Sequence, residues 1–184
     1  MTRSLLIVAL LALSWLLMQA VHELGHVLHA QWSGVPVDRV ILHPLELSET
    51  VLLQDTSLFI AWAGALWGVA IPLAIWAILL KAWPQQGHLA RFFAGFCLVA
   101  NGVYLGVGAF ARVGDARDLL RHGAAPWQLL LFGLLTVPAG FWLWNGQGSK
   151  FGLGPNSEPV SRVTVWVLSA SLVVLVLFLV LRAA

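Results

Sequence analysis

Five long apolar segments constrain the fold of this chain more than any other feature. They lie at residues 4–21 (continuing through a polar cluster to about residue 30), 57–80, 92–111, 127–144 and 163–181. Each is close to the ~20 residues that a helix needs to cross about 30 Å of hydrocarbon. Because backbone groups in lipid must be hydrogen-bonded internally, segments of this length form helices. The sequence therefore predicts an all-α polytopic membrane protein with about five transmembrane helices.

Composition excludes a soluble domain and a disordered chain. Of the 184 residues, 60% are hydrophobic and 10% are charged, whereas about a quarter are charged in soluble domains. Disorder needs the opposite bias, with low hydrophobicity and high charge. A net charge of +2 gives no reason to expect a nucleic-acid partner. We expect a multi-pass protein of the cell membrane, surrounded by the lipid bilayer.

The first segment resembles a signal peptide only superficially. Its apolar run is long, and Met18-Gln19-Ala20 lacks the small residue that a signal peptidase requires. We expect a retained helix. Between the first two helices, residues 35–53 are rich in β-branched side chains and are interrupted by a His-Pro pair, a pattern that predicts a short β-hairpin-like segment. Residues 81–91 and 145–161 are rich in Gly, Pro and polar side chains, which is typical of loops.

A histidine motif lies near the end of the first helix, where residues 22–26 read H-E-L-G-H. Histidines at i and i+4 share one helical face, so His22 and His26 can bind one metal ion. Zinc accepts nitrogen ligands and leaves a position for water in catalytic sites, and Glu23 is placed to take a proton from that water. Ionisable residues inside a spanning helix are costly and usually mark function. The motif predicts a zinc hydrolase site, and the alternative is a polar cluster that only holds helices together.

A third ligand must come from elsewhere, because two histidines are too few for such a site. The stronger candidates are Asp115 and Asp118, which follow the third helix. Helices one and three run in the same direction, and the helical rise places His22, His26 and Asp115 at similar depths. We expect Asp115 to complete the site, with Asp118 as the alternative. Either carboxylate could instead pair only with the neighbouring arginines.

Other polar side chains are weaker candidates. His29 lies on nearly the same helical face as the motif, but three ligands spread over two turns rarely reach one ion. His43 lies in a predicted loop, where a solvated histidine is expected. Asn101 lies mid-helix, about 21 Å from Asp115 along a continuous helix, and is expected to serve packing. Gln19, one turn before the motif, either supports the site or lines a pore.

These features resemble the site-2 protease family of intramembrane zinc metalloproteases. The shared features are the H-E-L-G-H run on the first helix, the β-like stretch and an Asp near the end of the third helix. The Ala63-Gly64 pair in the second helix, followed by Pro72, is also similar. The resemblance covers residues 4–122 as a three-helix catalytic core, with two additional transmembrane helices in residues 123–184 of a single membrane domain.

The resemblance implies His22, His26 and Asp115 as ligands of one zinc ion per chain and Glu23 as the catalytic base. It also implies a transmembrane protein or peptide as substrate, cleaved within or near the bilayer. The family's Asn-Pro and Asp-Gly signature at the third ligand is absent, because residues 114–118 read G-D-A-R-D. The choice between the two aspartates therefore stays open.

Three other functions are compatible with parts of the pattern. A zinc-dependent hydrolase of membrane lipids would use the same metal and base. A non-catalytic metal-containing membrane binding protein would keep the site for structure, although a structural site does not need Glu23. A di-iron desaturase or hydroxylase needs more histidines than the six in this chain.

Overall fold

The computed structural model describes residues 2–85 and 87–183, most of them in helices. The elements in chain order are α1 (Thr2–Trp32), β1 (Val37–Ile41), β2 (Glu49–Leu52), α2 (Leu58–Ala82), α3 (Gly87–Ala111), α4 (Gly114–Arg121), α5 (Pro126–Trp144), a 3₁₀ turn (Gly148–Phe151) and α6 (Arg162–Ala183). All the α-helices except α4 are long and apolar enough to cross a membrane, which makes five in the described ranges. The predicted all-α polytopic membrane fold, with about five transmembrane helices and a short hairpin, is confirmed.

Two predicted loops are more ordered than expected. The loop at residues 81–91 is short, because α2 continues to Ala82 and α3 already begins at Gly87. Hydropathy marks the part of a helix that lies in lipid, whereas backbone hydrogen bonding continues past it into polar residues. The loop at residues 145–161 contains the 3₁₀ turn, whose Phe151 packs against Leu6 of α1 and Val165 of α6.

The helices pack so that α2 contacts both α1 and α3, while α5 packs along α3 and α6 along α1. One buried cluster joins α2, α3, α4 and α5 and consists mainly of small side chains: Ala61, Ala65, Leu105, Ala109, Ala116, Leu119, Ala124 and Leu129. Small residues suit helix contacts in lipid, where close packing rather than water exclusion holds helices together. This cluster fixes α4 against α2 and α3.

A tight turn joins α3 to α4. Arg112 has φ = 53° and Gly114 has φ = 51°, both in the left-handed region. A Cβ at Gly114 would collide with the hydroxyl of Tyr104. Glycine is therefore needed at this position for its backbone conformation and for the space it leaves. The turn folds α4 back so that Asp115 lies beside α3.

The hairpin runs alongside α1. β1 and β2 are antiparallel, with Val40 opposite Thr50. The loop between them is attached to Gln19, whose Oε1 accepts a hydrogen bond from the backbone N–H of Ser48 at 2.7 Å. Gln19 lies 13 residues before Trp32, the last residue of α1, which corresponds to about 20 Å along the helix. The loop therefore lies beside the motif and not beyond the end of α1.

Candidate metal centre

Three of the side chains singled out in the sequence meet at one point. The Nε2 atom of His22 lies 2.8 Å from Oδ2 of Asp115 and 3.2 Å from Nε2 of His26. The Nε2 atom of His26 also lies 3.2 Å from Oδ2 of Asp115. Both histidines are 7% exposed. The structure thus brings these three residues together as a group that could hold a metal ion.

Two helices present the three side chains. His22 and His26 lie one turn apart on α1, and Asp115 lies in the first turn of α4. The backbone N–H of Asp115 donates to the hydroxyl of Tyr104 at 3.1 Å, which fixes the start of α4. Burial alone would raise the pKa of the Asp115 carboxyl, but its contacts with the two imidazoles, when these carry a proton on Nε2, outweigh burial and hold that pKa well below its usual range. Asp115 is therefore a carboxylate.

Hydrogen bonds at the other ring nitrogens orient both imidazoles. The Nδ1 atom of His22 lies 2.7 Å from Oδ1 of Asn101, and Nδ1 of His26 lies 2.8 Å from the carbonyl oxygen of Ile60. The Asn101 amide is oriented by its own Nδ2, which donates to the carbonyl oxygen of Cys97 at 2.9 Å. Because both partners are oxygen acceptors, each Nδ1 carries a hydrogen, so each ring, when it is neutral, presents its Nε2 lone pair to the cluster.

The donor set and its spacing fit zinc. Two nitrogen lone pairs and a carboxylate oxygen repel one another at such short range unless a proton or a metal cation lies between them. Ligand atoms at 2.0–2.1 Å from one tetrahedral zinc are separated by about 3.3 Å. The observed separations of 2.8 to 3.2 Å are close to that value. Acceptors at Nδ1 are also typical of histidines that bind metals through Nε2.

Glycines on α2 make room for this cluster. A Cβ at Gly64 would collide with the Nε2 atoms of both His22 and His26. A Cβ at Gly68 would lie 2.8 Å from the amide atoms of Asn101. The two glycines are one turn apart and admit the imidazoles and the amide that orients one of them. The spacing in the sequence is detectable, but it does not reveal which side chains the glycines face.

Glu23 lies next to the cluster and lines a cavity of 670 Å³. The side chain is buried, at 5% exposed. Its Oε2 accepts a hydrogen bond from Oγ1 of Thr50 at 2.6 Å. The cavity is also lined by His22, His26 and Asp115, so the carboxylate of Glu23 and the three clustered side chains face the same space.

The cavity has an apolar side and a polar side. Side chains that precede the site along α1 and α3, together with the end of α5, form the apolar side: Trp15, Met18, Phe96, Val99 and Trp144. Residues from the hairpin, from the segment before α2 and from α4 form the polar side: Ser48, Glu49, Thr50, Thr56, Arg117 and Asp118. The cavity therefore suits a molecule with an apolar part and a polar part.

Asp118 does not join the cluster. It lies one turn after Asp115 on α4, and its Oδ1 is 3.3 Å from Nε of Arg117. The side chain is 27% exposed and lines the polar side of the cavity. The sequence did not decide which of the two aspartates joins the histidines. In the structure Asp115 contacts them, whereas Asp118 forms an exposed ion pair with Arg117.

His29 and His43 make other contacts. The Nδ1 atom of His29 lies 2.7 Å from the carbonyl oxygen of Phe59, and its Nε2 accepts from Nε1 of Trp67 at 3.1 Å. The ring also stacks on Phe59, with centroids 4.0 Å apart. The Nδ1 atom of His43 accepts from backbone N–H groups two and three residues later. His29 therefore joins α1 to α2, and His43 stabilises the hairpin loop.

Asn101 has a different environment from the one expected. A continuous helix would place it about 21 Å from Asp115, but α3 ends at Ala111 and the turn folds the chain back. Asn101 and Asp115 consequently contact opposite nitrogens of the same His22 ring. The expectation of a packing role is incomplete, since the amide also orients a member of the cluster. Its only signal in the sequence is a carboxamide in an apolar helix.

The chain shows no match to any protein-family model, to any curated protein or to any solved structure.

Proposed function

We propose that this multi-pass membrane protein is an intramembrane zinc metalloprotease, similar to the site-2 protease family, that hydrolyses peptide bonds of transmembrane substrates. The observation that carries the proposal is the convergence of His22 Nε2, His26 Nε2 and Asp115 Oδ2 beside Glu23 in one cavity. We place the protein in the cell membrane, with one zinc ion per chain held by these three side chains.

The residues of the chain have distinct roles in this reaction. Asn101 and the carbonyl of Ile60 keep His22 and His26 oriented. Asp115 contributes the negative charge that balances a divalent cation in a buried site. When bound, zinc acts as a Lewis acid that makes water more acidic and polarises a carbonyl group.

Glu23 is the general base and then the general acid. Its Oε2 is held by Thr50, and its other oxygen has no hydrogen-bond partner in the described part of the chain. Glu23 takes a proton from water as the water oxygen bonds to the carbonyl carbon of the substrate. It then gives that proton to the amide nitrogen as the C–N bond breaks, which leaves a carboxyl group and an amine.

The cavity supports a substrate that is partly embedded in lipid. Trp15 lies seven residues before His22 on α1, about 10 Å along the helix, and Phe96 lies five residues before Asn101 on α3. The apolar side therefore extends away from the helix ends and deeper into the bilayer than the cluster. The polar side, at the hairpin and α4, admits water. A transmembrane segment with its scissile bond near the polar side would fit both.

A lipid hydrolase is the second candidate, and the aromatic wall of the cavity favours it. Glu23 and the same zinc would hydrolyse an amide or ester bond of a lipid, whose acyl chain would contact Trp15, Phe96 and Trp144. A non-catalytic membrane binding protein would not need a buried carboxylate facing the cavity. We therefore place the binding role third.

Cleavage assays on purified protein in liposomes separate these candidates. A model transmembrane peptide and a fluorogenic lipid ester would be tested with the wild type, Glu23→Gln and the control Glu46→Gln, whose side chain is exposed on the hairpin loop. We expect peptide cleavage that Glu23→Gln lowers by about 10²- to 10⁴-fold with zinc retained, and that Glu46→Gln leaves unchanged. Cleavage of the ester alone would favour the lipid hydrolase. Zinc without either activity would favour the binding role.

A further inference from the structure

We propose that Thr50 on β2 is a positioning residue for Glu23, so that the hairpin forms part of the active site. The inference rests on the proposed function, because it assigns Thr50 a role in setting the base. Thr50 Oγ1 lies 2.6 Å from Oε2 of Glu23, although the two residues are 27 positions apart. A hydroxyl that donates to a carboxylate at this distance makes a charge-assisted hydrogen bond, which is stronger than a neutral one.

The hydrogen bond decides which oxygen of Glu23 is free. The hydroxyl of Thr50 has one hydrogen, and Oε2 is the nearer acceptor, since the backbone oxygen of Glu23 lies 3.5 Å from Oγ1. In the described residues, Oε1 of Glu23 accepts from no donor, and the residue lines the cavity. Thr50 therefore holds one oxygen of the base and leaves the other for the proton of water.

A second contact fixes β2 relative to α1. Gln19 Oε1 accepts from the backbone N–H of Ser48 at 2.7 Å, and Gln19 Nε2 donates to the carbonyl oxygen of His43 at 3.4 Å. Gln19 and Glu23 are four residues apart on the helix, a rise of about 6.0 Å. Ser48 and Thr50 are two residues apart, about 6.6 Å in an extended strand. The distance between the two contacts is therefore nearly the same along α1 and along the hairpin strand. Both chain segments also run in the same direction from the first contact to the second.

The hairpin is attached to α1 at two points, Gln19 and Glu23. A displacement of β2 along the helix would therefore change the direction of the Glu23 carboxylate. Reacting groups must be held in near-attack geometry, and a misplacement of about 1 Å can cost on the order of 100-fold in rate. Thr50 therefore couples the position of the hairpin to the efficiency of the base.

Kinetics on matched threonine variants test the proposal. Thr50→Val removes the hydroxyl at nearly constant shape, Thr50→Ser keeps a hydroxyl, and Thr164→Val is a control at a threonine of α6 that does not line the cavity. We expect Thr50→Val to lower kcat for the model transmembrane peptide by about 10- to 100-fold, with KM within about twofold of wild type and zinc content unchanged. Thr50→Ser should keep most of the wild-type kcat, and Thr164→Val should match wild type. If Thr50→Val does not fold, Thr50→Ala gives the same comparison with Thr50→Ser.

A double-mutant cycle on the unfolding midpoint tests the contact between Thr50 and Glu23 without an activity assay. Thr50→Val should lower the unfolding midpoint in the wild-type background and have little effect in the Glu23→Ala background, because the pair is then already broken. Equal effects in both backgrounds, wild-type kcat in Thr50→Val, or no recovery with Thr50→Ser would each overturn the role of Thr50. A wild type that cleaves no peptide would instead overturn the proposed protease function.

Discussion

His22 and Asn101 face each other between α1 and α3, with the imidazole Nδ1 2.7 Å from the amide Oδ1. The contact sets the tautomer and the orientation of His22 and so directs its Nε2 towards Asp115. It also joins two spanning helices through their polar side chains. The first prediction follows from this contact.

Replacing Asn101 by Leu should weaken zinc binding by about 10- to 100-fold, because His22 loses the acceptor that orients it. Asn101→Asp is the matched control, since it keeps an oxygen acceptor at the same position. Zinc affinity would be measured by competition with a chelating dye. Equal affinities for Asn101→Leu and the wild type would mean that the amide serves only helix packing.

Gly64→Ala should abolish zinc binding and cleavage, because its Cβ would collide with both Nε2 atoms of the cluster. Gly106→Ala on α3 is the control, as its Cβ would meet only an ordinary contact at 3.7 Å. Metal content and activity of the two variants would be compared in one preparation. A Gly64→Ala variant that retains full metal content would show that the imidazoles do not bind metal in this arrangement.

Gly114→Ala should destabilise the protein by about 1–2 kcal/mol through its left-handed backbone, and lower zinc affinity as well, because the Cβ would displace Tyr104 from Asp115. Gly34→Ala separates the two effects, since Gly34 has φ = 70° with open space around it. We expect Gly34→Ala to lose stability and keep zinc affinity. Equal zinc affinities for both variants would contradict the role assigned to the α3–α4 turn.

Removing the metal with a chelator should abolish cleavage and lower the unfolding midpoint, and added zinc should restore both. A ligand present at 1,000 times its dissociation constant stabilises the folded state by about 4.1 kcal/mol. The Asp115→Asn variant should show a much smaller midpoint shift on zinc addition. Unfolding followed by tryptophan fluorescence gives this readout, and equal shifts in the two proteins would place the metal elsewhere.

Much of the architecture follows from local rules. The thickness of the bilayer sets the length of a spanning helix, and histidines at i and i+4 share one face of any α-helix. The first and third helices run in the same direction, so helical rise predicts similar depths for the two histidines and Asp115, and Asp118 satisfies the same condition. In the structure, Asp115 lies beside His22 and His26, as these similar depths predict.

The remaining parts of the site depend on contacts between elements, which spacing does not encode. The left-handed conformation of Arg112 is unusual for a residue with a side chain, and it produces the turn that brings Asp115 close to Asn101. The approach of Gly64 to the imidazoles depends on how α2 packs on α1. Thr50 reaches Glu23 only because the hairpin folds back along α1.

Elemental analysis of purified wild type, Asp115→Asn and Asp118→Asn would measure whether the clustered side chains hold zinc. We predict one zinc ion per chain in the wild type and in Asp118→Asn, and a large loss in Asp115→Asn, because Asp115, unlike Asp118, contacts both histidines. A wild type without metal would rule out a zinc site at these side chains. Protonated imidazoles paired with Asp115 would then explain the cluster.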